Sequence, residues 1–104
     1  MVNIINSLNE LNELIKNNKL VILDCYANWC GPCRMLAPVV EELSEEFTDI
    51  SFNKVYVDSA MDIATTFNIQ SIPLLLMFKD GKLVNQSLGF KSKSALEAII
   101  NAIK

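Results

Sequence analysis

The sequence has no histidine. That removes every mechanism built on an imidazole base, every histidine-ligated zinc site and covalent c-type haem. Cysteine is scarce and odd in number, at three, so a fully paired secreted framework does not fit. Basic charge is not in excess. Nine Lys and Arg stand against twelve Asp and Glu, a net charge of −3, so no basic field invites nucleic acid. Long hydrophobic runs are missing as well. The longest, Leu74 to Phe78, falls far short of the ~20 residues that span a bilayer, and no membrane partner is expected. Met1 to Asn6 has no basic region followed by a long apolar core. No signal peptide is therefore predicted, and a reducing, cytoplasmic setting is the expectation. Asn85-Gln86-Ser87 fits the N-glycosylation triplet, yet without a secretory signal it reads as a polar stretch.

What is present is the composition of a folded chain: 104 residues, 51% hydrophobic and 20% charged. This fits one domain over residues 1–104, long enough to bury a core without disulfide staples. No internal repeat, low-complexity segment or linker interrupts it. Residues 2–5 read as a short strand. Ser7-Leu8-Asn9-Glu10 is a capping box, and Leu8, Leu11, Leu14 and Ile15 then recur at helical spacing, predicting a helix over 8–17. Leu20 to Ala27 is almost wholly apolar and reads as a central strand covered on both faces.

From Pro32 to Phe47 the period turns helical, with Met35, Leu36, Val39, Val40, Leu43 and Phe47 on one face and the acidic run Glu41, Glu42, Glu45, Glu46 and Asp49 solvated. Ile50 to Val57 is a second strand, joined to the first by a right-handed crossover. Ser59 to Asp62 caps a short helix ending near Phe67. Leu74 to Lys79 is a third long strand, Asp80-Gly81 a two-residue hairpin signal, and Lys82 to Leu88 an antiparallel edge strand. Ser92 and Ser94 are both suitable caps for a last helix burying Leu96, Ile99, Ile100 and Ile103. The order βαβαβαββα gives an α/β fold: a central mixed five-stranded sheet flanked by four helices on both faces.

The sharpest feature is Cys30-Gly31-Pro32-Cys33, where the central strand feeds a helix. Cysteines at i and i+3 on a first helical turn share one face and are near enough to close a small disulfide ring. Cys30 would stand at the helix N-terminus, where the dipole and free N–H groups favour a thiolate. Pro32 suits the first turn, where its missing N–H costs nothing. Other uses of the motif remain to be weighed. Half a zinc site would need two further ligands, and only Cys25 remains. A site shared across a dimer, or an iron–sulfur cluster held by two chains, is a minor alternative. A purely structural disulfide across so short a loop would constrain the unfolded chain little.

Trp29-Cys30-Gly31-Pro32-Cys33-Arg34-Met35, followed by Pro38, resembles the active-site segment of the thioredoxin family. Asp24, Lys54, Ile72-Pro73, Asp80-Gly81 and Gly89 match further along, so the resemblance covers essentially the whole chain. It implies the thioredoxin fold and protein-disulfide reductase activity with no bound cofactor. Cys30 is the implied nucleophile, forming a mixed disulfide, and Cys33 the thiol that resolves it, with Cys30 exposed and Cys33 partly covered. Electrons would come ultimately from NADPH through a flavin enzyme, thioredoxin reductase. The clients implied are disulfide-containing proteins such as peroxiredoxin, ribonucleotide reductase and methionine sulfoxide reductase, and the molecule would be a monomer. An oxidase or isomerase of the same fold is the nearest alternative, and a scaffold that only binds, or holds metal through a dimer, a more distant one. Gly-Pro between the cysteines, without histidine, argues for the reducing end.

Asp24 supports this reading from the residues themselves. A carboxylate in an apolar strand is costly unless paired or neutral, and burial raises its pKa. An exposed or salt-bridged position is the plainer alternative. As the acid–base candidate it would exchange a proton with Cys33 through water, with Lys54 on the next strand as its charge partner. Ser71-Ile72-Pro73 alone is only a loop-to-strand junction. The resemblance implies a cis Pro73 against the cysteine pair, with Ile72 offering its backbone to an extended client. Trp29, Gly31, Pro32, Ile72, Pro73 and Gly89 would form the docking surface. Pro38 should kink its helix. Tyr26, Asn28, Leu74 and Phe90 depart from common family residues and bear on partner preference and redox potential. Cys25 replaces a usual phenylalanine. Alternation turns it away from Asp24, as a buried inert thiol rather than a regulatory one.

Overall fold

A computed structural model describes residues 1–104. The chain runs through β1 (Asn3–Ile4), α1 (Leu8–Asn17), β2 (Leu20–Tyr26), α2 (Gly31–Glu46), β3 (Ser51–Tyr56), a 3-10 turn (Val57–Ser59), α3 (Met61–Thr66), β4 (Leu74–Lys79), β5 (Lys82–Leu88) and α4 (Lys93–Ile103). The sheet order is β1-β3-β2-β4-β5. The β1–β3 and β3–β2 pairs are parallel and the β2–β4 and β4–β5 pairs antiparallel. The expected mixed five-stranded sheet with four helices is therefore present, and β2 lies at its centre.

Local chemistry sets the element ends. The Ser7 hydroxyl accepts from the Glu10 N–H at 3.2 Å, and Ser92, not Ser94, caps α4 through the Ala95 N–H at 3.2 Å. Asp80 and Gly81 turn the β4–β5 hairpin with φ of 51° and 82°, the left-handed pair that such a turn requires. Two expectations need correction. Ser59 does not cap α3. It lies in the 3-10 turn with its hydroxyl donating to the Tyr56 carbonyl, and Ala60 precedes the helix. Met35 does not join the core. It is 60% exposed, because α2 contacts the sheet along a stripe set by Leu36, Val40 and Leu43 that Met35 flanks.

The residues of β2 alternate between two cores. Leu20 and Ile22 pack with Leu36, Val40 and Leu43 of α2 and with Leu96 and Ile100 of α4. Val21, Leu23 and Cys25 pack with Leu11 of α1 and Ile63 of α3 on the other face. Each fully buried aliphatic side chain contributes about 1.5–3 kcal/mol. A register shift at Met77/Phe78, whose partners are Asn85 and Leu83, leaves Val84 as an unpaired bulge in β5. The C-terminal end of β2, held between neighbours on both sides, delivers the loop that carries the cysteines.

Candidate active site

Cys30 caps α2. Its N–H donates to the Ala27 carbonyl at 3.3 Å, its carbonyl accepts from the Arg34 N–H at 3.2 Å, and its sulfur accepts from the Cys33 N–H at 3.2 Å. Cys30 and Cys33 are joined as a disulfide, with Cα atoms 5.2 Å apart. One helical turn sets that spacing, as the sequence predicts. Exposure does not separate the two sulfurs. Cys30 is 5% exposed and Cys33 3%, so the expected open Cys30 is not found in the oxidised state. The closed ring folds its sulfur inward, 3.9 Å from the Ile72 carbonyl oxygen. Surroundings separate them instead: Cys30 borders an exposed rim, and Cys33 faces an interior cleft.

The rim comes from three loops. Trp29 is 69% exposed, and its indole N–H donates to Asp58 Oδ2 at 2.9 Å, which fixes the ring. Asn28 and Arg34 are tied by a 2.9 Å bond from Nη1 to the Asn28 carbonyl. The Ile72–Pro73 peptide is cis, and the Gly89 N–H donates to the Pro73 carbonyl at 2.8 Å. Gly89 has φ of 84°, a conformation that favours glycine. Gly31 and Ile72 are half-buried, Pro32 is exposed and Pro73 is buried. The structure thus gathers Trp29, Gly31, Pro32, Ile72, Pro73 and Gly89 around the Cys30 side of the pair. No local pattern in the sequence pairs Trp29 with Asp58, which stands 29 positions away. An acidic residue just past β3 is the only signal of the bond.

The cleft beneath holds about 190 Å³ and is lined by Asp24, Tyr26, Ala27, Asn28, Cys33, Arg34, Ala37 and Lys54. Asp24 is 3% exposed, and its Oδ1 has no hydrogen-bond partner. Burial pushes its pKa up to about 7, against the opposing pull of Lys54. Lys54 sits opposite Asp24 in the β2–β3 register. Its ammonium lies 5.8 Å from the Tyr26 ring centroid, and the chain's ion pairs do not include it. It acts on Asp24 through space, not as a bonded partner. A carboxyl that is half-ionised near neutrality, in a cleft with Cys33, can take up or release a proton there.

Cys25 lies on the other face of β2, fully buried, its thiol pushed far up by burial and by the Asp24 charge. Its sulfur therefore does not converge with Cys33, and no group of three or more His, Cys, Asp or Glu side chains gathers as metal ligands.

The thioredoxin family model matches residues 2–102. A thioredoxin of Mycoplasmoides gallisepticum is 43% identical over 91 residues, covering 88% of this chain and 91% of that protein. A Bacillus subtilis thioredoxin is 46% identical over 83 residues, covering 79% and 80%. Among solved structures, Plasmodium falciparum thioredoxin superimposes with a TM-score of 0.92 at 39% identity, covering 99% of this chain and 100% of that one. A structure concerned with thiol resolution in yeast mitochondrial 1-Cys peroxiredoxin via glutathione and thioredoxin systems gives 0.90 at 34% identity, covering 97% and 94%.

Proposed function

The chain belongs to the thioredoxin family, and on that premise we propose how its residues divide the work of a protein-disulfide reductase. One observation carries the reading: a Cys30–Cys33 pair at the start of a helix, with a buried carboxyl in the cleft beside Cys33. In the reduced protein the Cys30 thiolate attacks one sulfur of a client disulfide. A Cys30–client bond forms, the client S–S bond breaks, and the departing client sulfur takes a proton. Asp24 accepts the Cys33 thiol proton through water. The Cys33 thiolate then attacks the Cys30 sulfur and expels the second client thiolate, which is protonated in turn. Two electrons pass to the client, and the chain ends in the disulfide form described above.

Around that exchange, Trp29, Gly31, Pro32, Ile72, Pro73 and Gly89 dock the client, and the Ile72 backbone, 3.9 Å from the Cys30 sulfur, pairs with it in extended form. Lys54 holds the proton affinity of Asp24 down. The cysteine pair stores the electrons, so the carrier chemistry needs no bound cofactor. A flavin-dependent thioredoxin reductase drawing on NADPH is the proposed electron source, and residues 1–104 act as one monomeric unit in the cytoplasm. Peroxiredoxin, ribonucleotide reductase and methionine sulfoxide reductase are proposed clients by family resemblance. For the first, a structural neighbour comes from work on a peroxiredoxin.

The test is catalysed reduction of a model protein disulfide. Cys30→Ser should lower the rate by at least ~100-fold, and Cys33→Ser should accumulate mixed disulfides with clients. Full activity in Cys30→Ser would refute the assignment. Asp24→Asn should slow turnover most at neutral pH, and matching rates for both proteins across the neutral range would remove Asp24 from the proton path.

A further inference from the structure

A second hollow opens beside the cis peptide, holding about 330 Å³ and lined by Asn68, Gln70, Ser71, Leu74, Gln86 and Leu88. Its position follows from the chain. Ser71 and Leu74 immediately bracket Ile72–Pro73, and Gln86 and Leu88 lie on the end of β5 beside β4, Leu88 opposite Leu74. Because the Ile72 carbonyl is 3.9 Å from the Cys30 sulfur, the hollow begins within about two extended residues of the reacting atom. None of its lining side chains is charged. Gln70 Nε2 donates to Asn68 Oδ1 at 3.4 Å, and the remaining donors and acceptors of these two amides and of the Gln86 amide have no partner in the chain. Leu88 is 57% exposed and offers apolar surface at the same place.

We propose that this hollow is a client subsite that receives an uncharged side chain with a polar tip, of glutamine type, a residue or two from the client's reacting cysteine. The inference rests on the disulfide-reductase reading, since the occupant is an extended client segment tethered at Cys30. Amide groups give and accept hydrogen bonds, so they suit a neutral amide tip, and Leu74 and Leu88 suit its aliphatic stem. The hollow is open to solvent at Asn68, Gln70, Ser71, Gln86 and Leu88, so a carboxylate or ammonium there keeps water, meets no opposite charge and matches only the donors or only the acceptors of the lining amides. The hollow therefore selects by matching amide to amide and stem to leucine rather than by expelling charge.

The probes are short synthetic peptides whose single cysteine is disulfide-bonded to a small chromogenic thiol. Each carries Gln, Glu or Lys at one position beside the cysteine. The reduced protein attacks the peptide sulfur, the chromogenic thiol leaves, and the single-turnover rate is read from it. At one or two positions the Gln peptide should react roughly threefold to tenfold faster than the Glu and Lys peptides. The same charges placed far along the peptide should show no such ratio. Gln86→Glu, on an exposed stretch of strand, should raise the Lys-to-Gln ratio by at least ~threefold. Asn68→Asp should move it the same way, and Asp tolerates the positive φ of 50° found there. Ratios within one variant cancel any general loss of activity. Rates indifferent to Gln, Glu and Lys at every position, or ratios unmoved by both variants, would overturn the subsite and leave the exchange reading intact. Failure to reduce the peptides and the model protein disulfide alike would overturn both.

Discussion

Asp24 and Cys25 are chain neighbours in the central strand, and both are buried, yet they live in different surroundings. Asp24 faces the α2 side and opens onto the cleft that holds Cys33 and Lys54. Cys25 faces the α1 and α3 side and is sealed among Leu11, Val55 and Ile63. Burial raises the pKa of both groups, but only one is left near neutrality, where it can exchange a proton. The Lys54 charge pulls Asp24 back into range, whereas the Asp24 charge pushes Cys25 further out. The same physical cause leaves one group able to titrate near neutrality and holds the other in its neutral form.

The contrast predicts opposite signs for substitutions one residue apart, and stability against pH tests it most strongly. The folded chain binds the Asp24 proton up to pH about 7, while the unfolded chain releases it near the ordinary value of 3.8. Raising the pH through that window therefore costs the wild type stability, up to about 4 kcal/mol. Asp24→Asn should be more stable than wild type at pH 8, by an amount that shrinks toward pH 4. Denaturant titrations at both pH values measure it, and a constant difference would contradict the buried-acid assignment. Cys25→Ser should have the opposite sign, costing about 1–3 kcal/mol at any pH, because it places an unmatched hydroxyl in an apolar core. Its turnover should stay close to wild type.

Lys54→Met removes the charge that opposes burial, so the acid limb of the pH–rate profile should move to higher pH. An unmoved limb would show that Lys54 does not reach Asp24. The smallest effect is expected for Asp58→Ala. It frees the Trp29 indole and should cost about 0.5–1.5 kcal/mol of client affinity, read as a raised KM with kcat little changed.

Much of this contrast was legible in the sequence, since strand alternation alone puts residues 24 and 25 on opposite faces. The helix over 8–17, the Asp80-Gly81 turn and the edge strand were also legible, because each rests on signals a few residues apart. The failures came where distant segments meet. The covering of Cys30 depends on Ile72, 42 positions away, and the anchoring of Trp29 on Asp58. Helical period placed Met35 on the apolar side of α2, but the width of the stripe that meets the sheet is set by β2 and α4, which no local pattern reveals. Charge difference suggested Lys54 as a partner for Asp24. Only the geometry shows that the two interact across space while the ammonium lies near the Tyr26 ring.

The bulge at Val84 bears on how such molecules behave in a crowd. The chain keeps Trp29, Leu88 and Phe90 open to solvent, and its two outer strands are potential templates for stacking copies side by side. One outer strand, β1, is only two residues long. The other, β5, is interrupted at Val84, which breaks the regular ladder a second copy would need in order to zip on. Each flank thus presents only a short stretch of regular ladder on which a second copy could pair, although Ile4 on β1 and Leu83 on β5 are apolar and exposed.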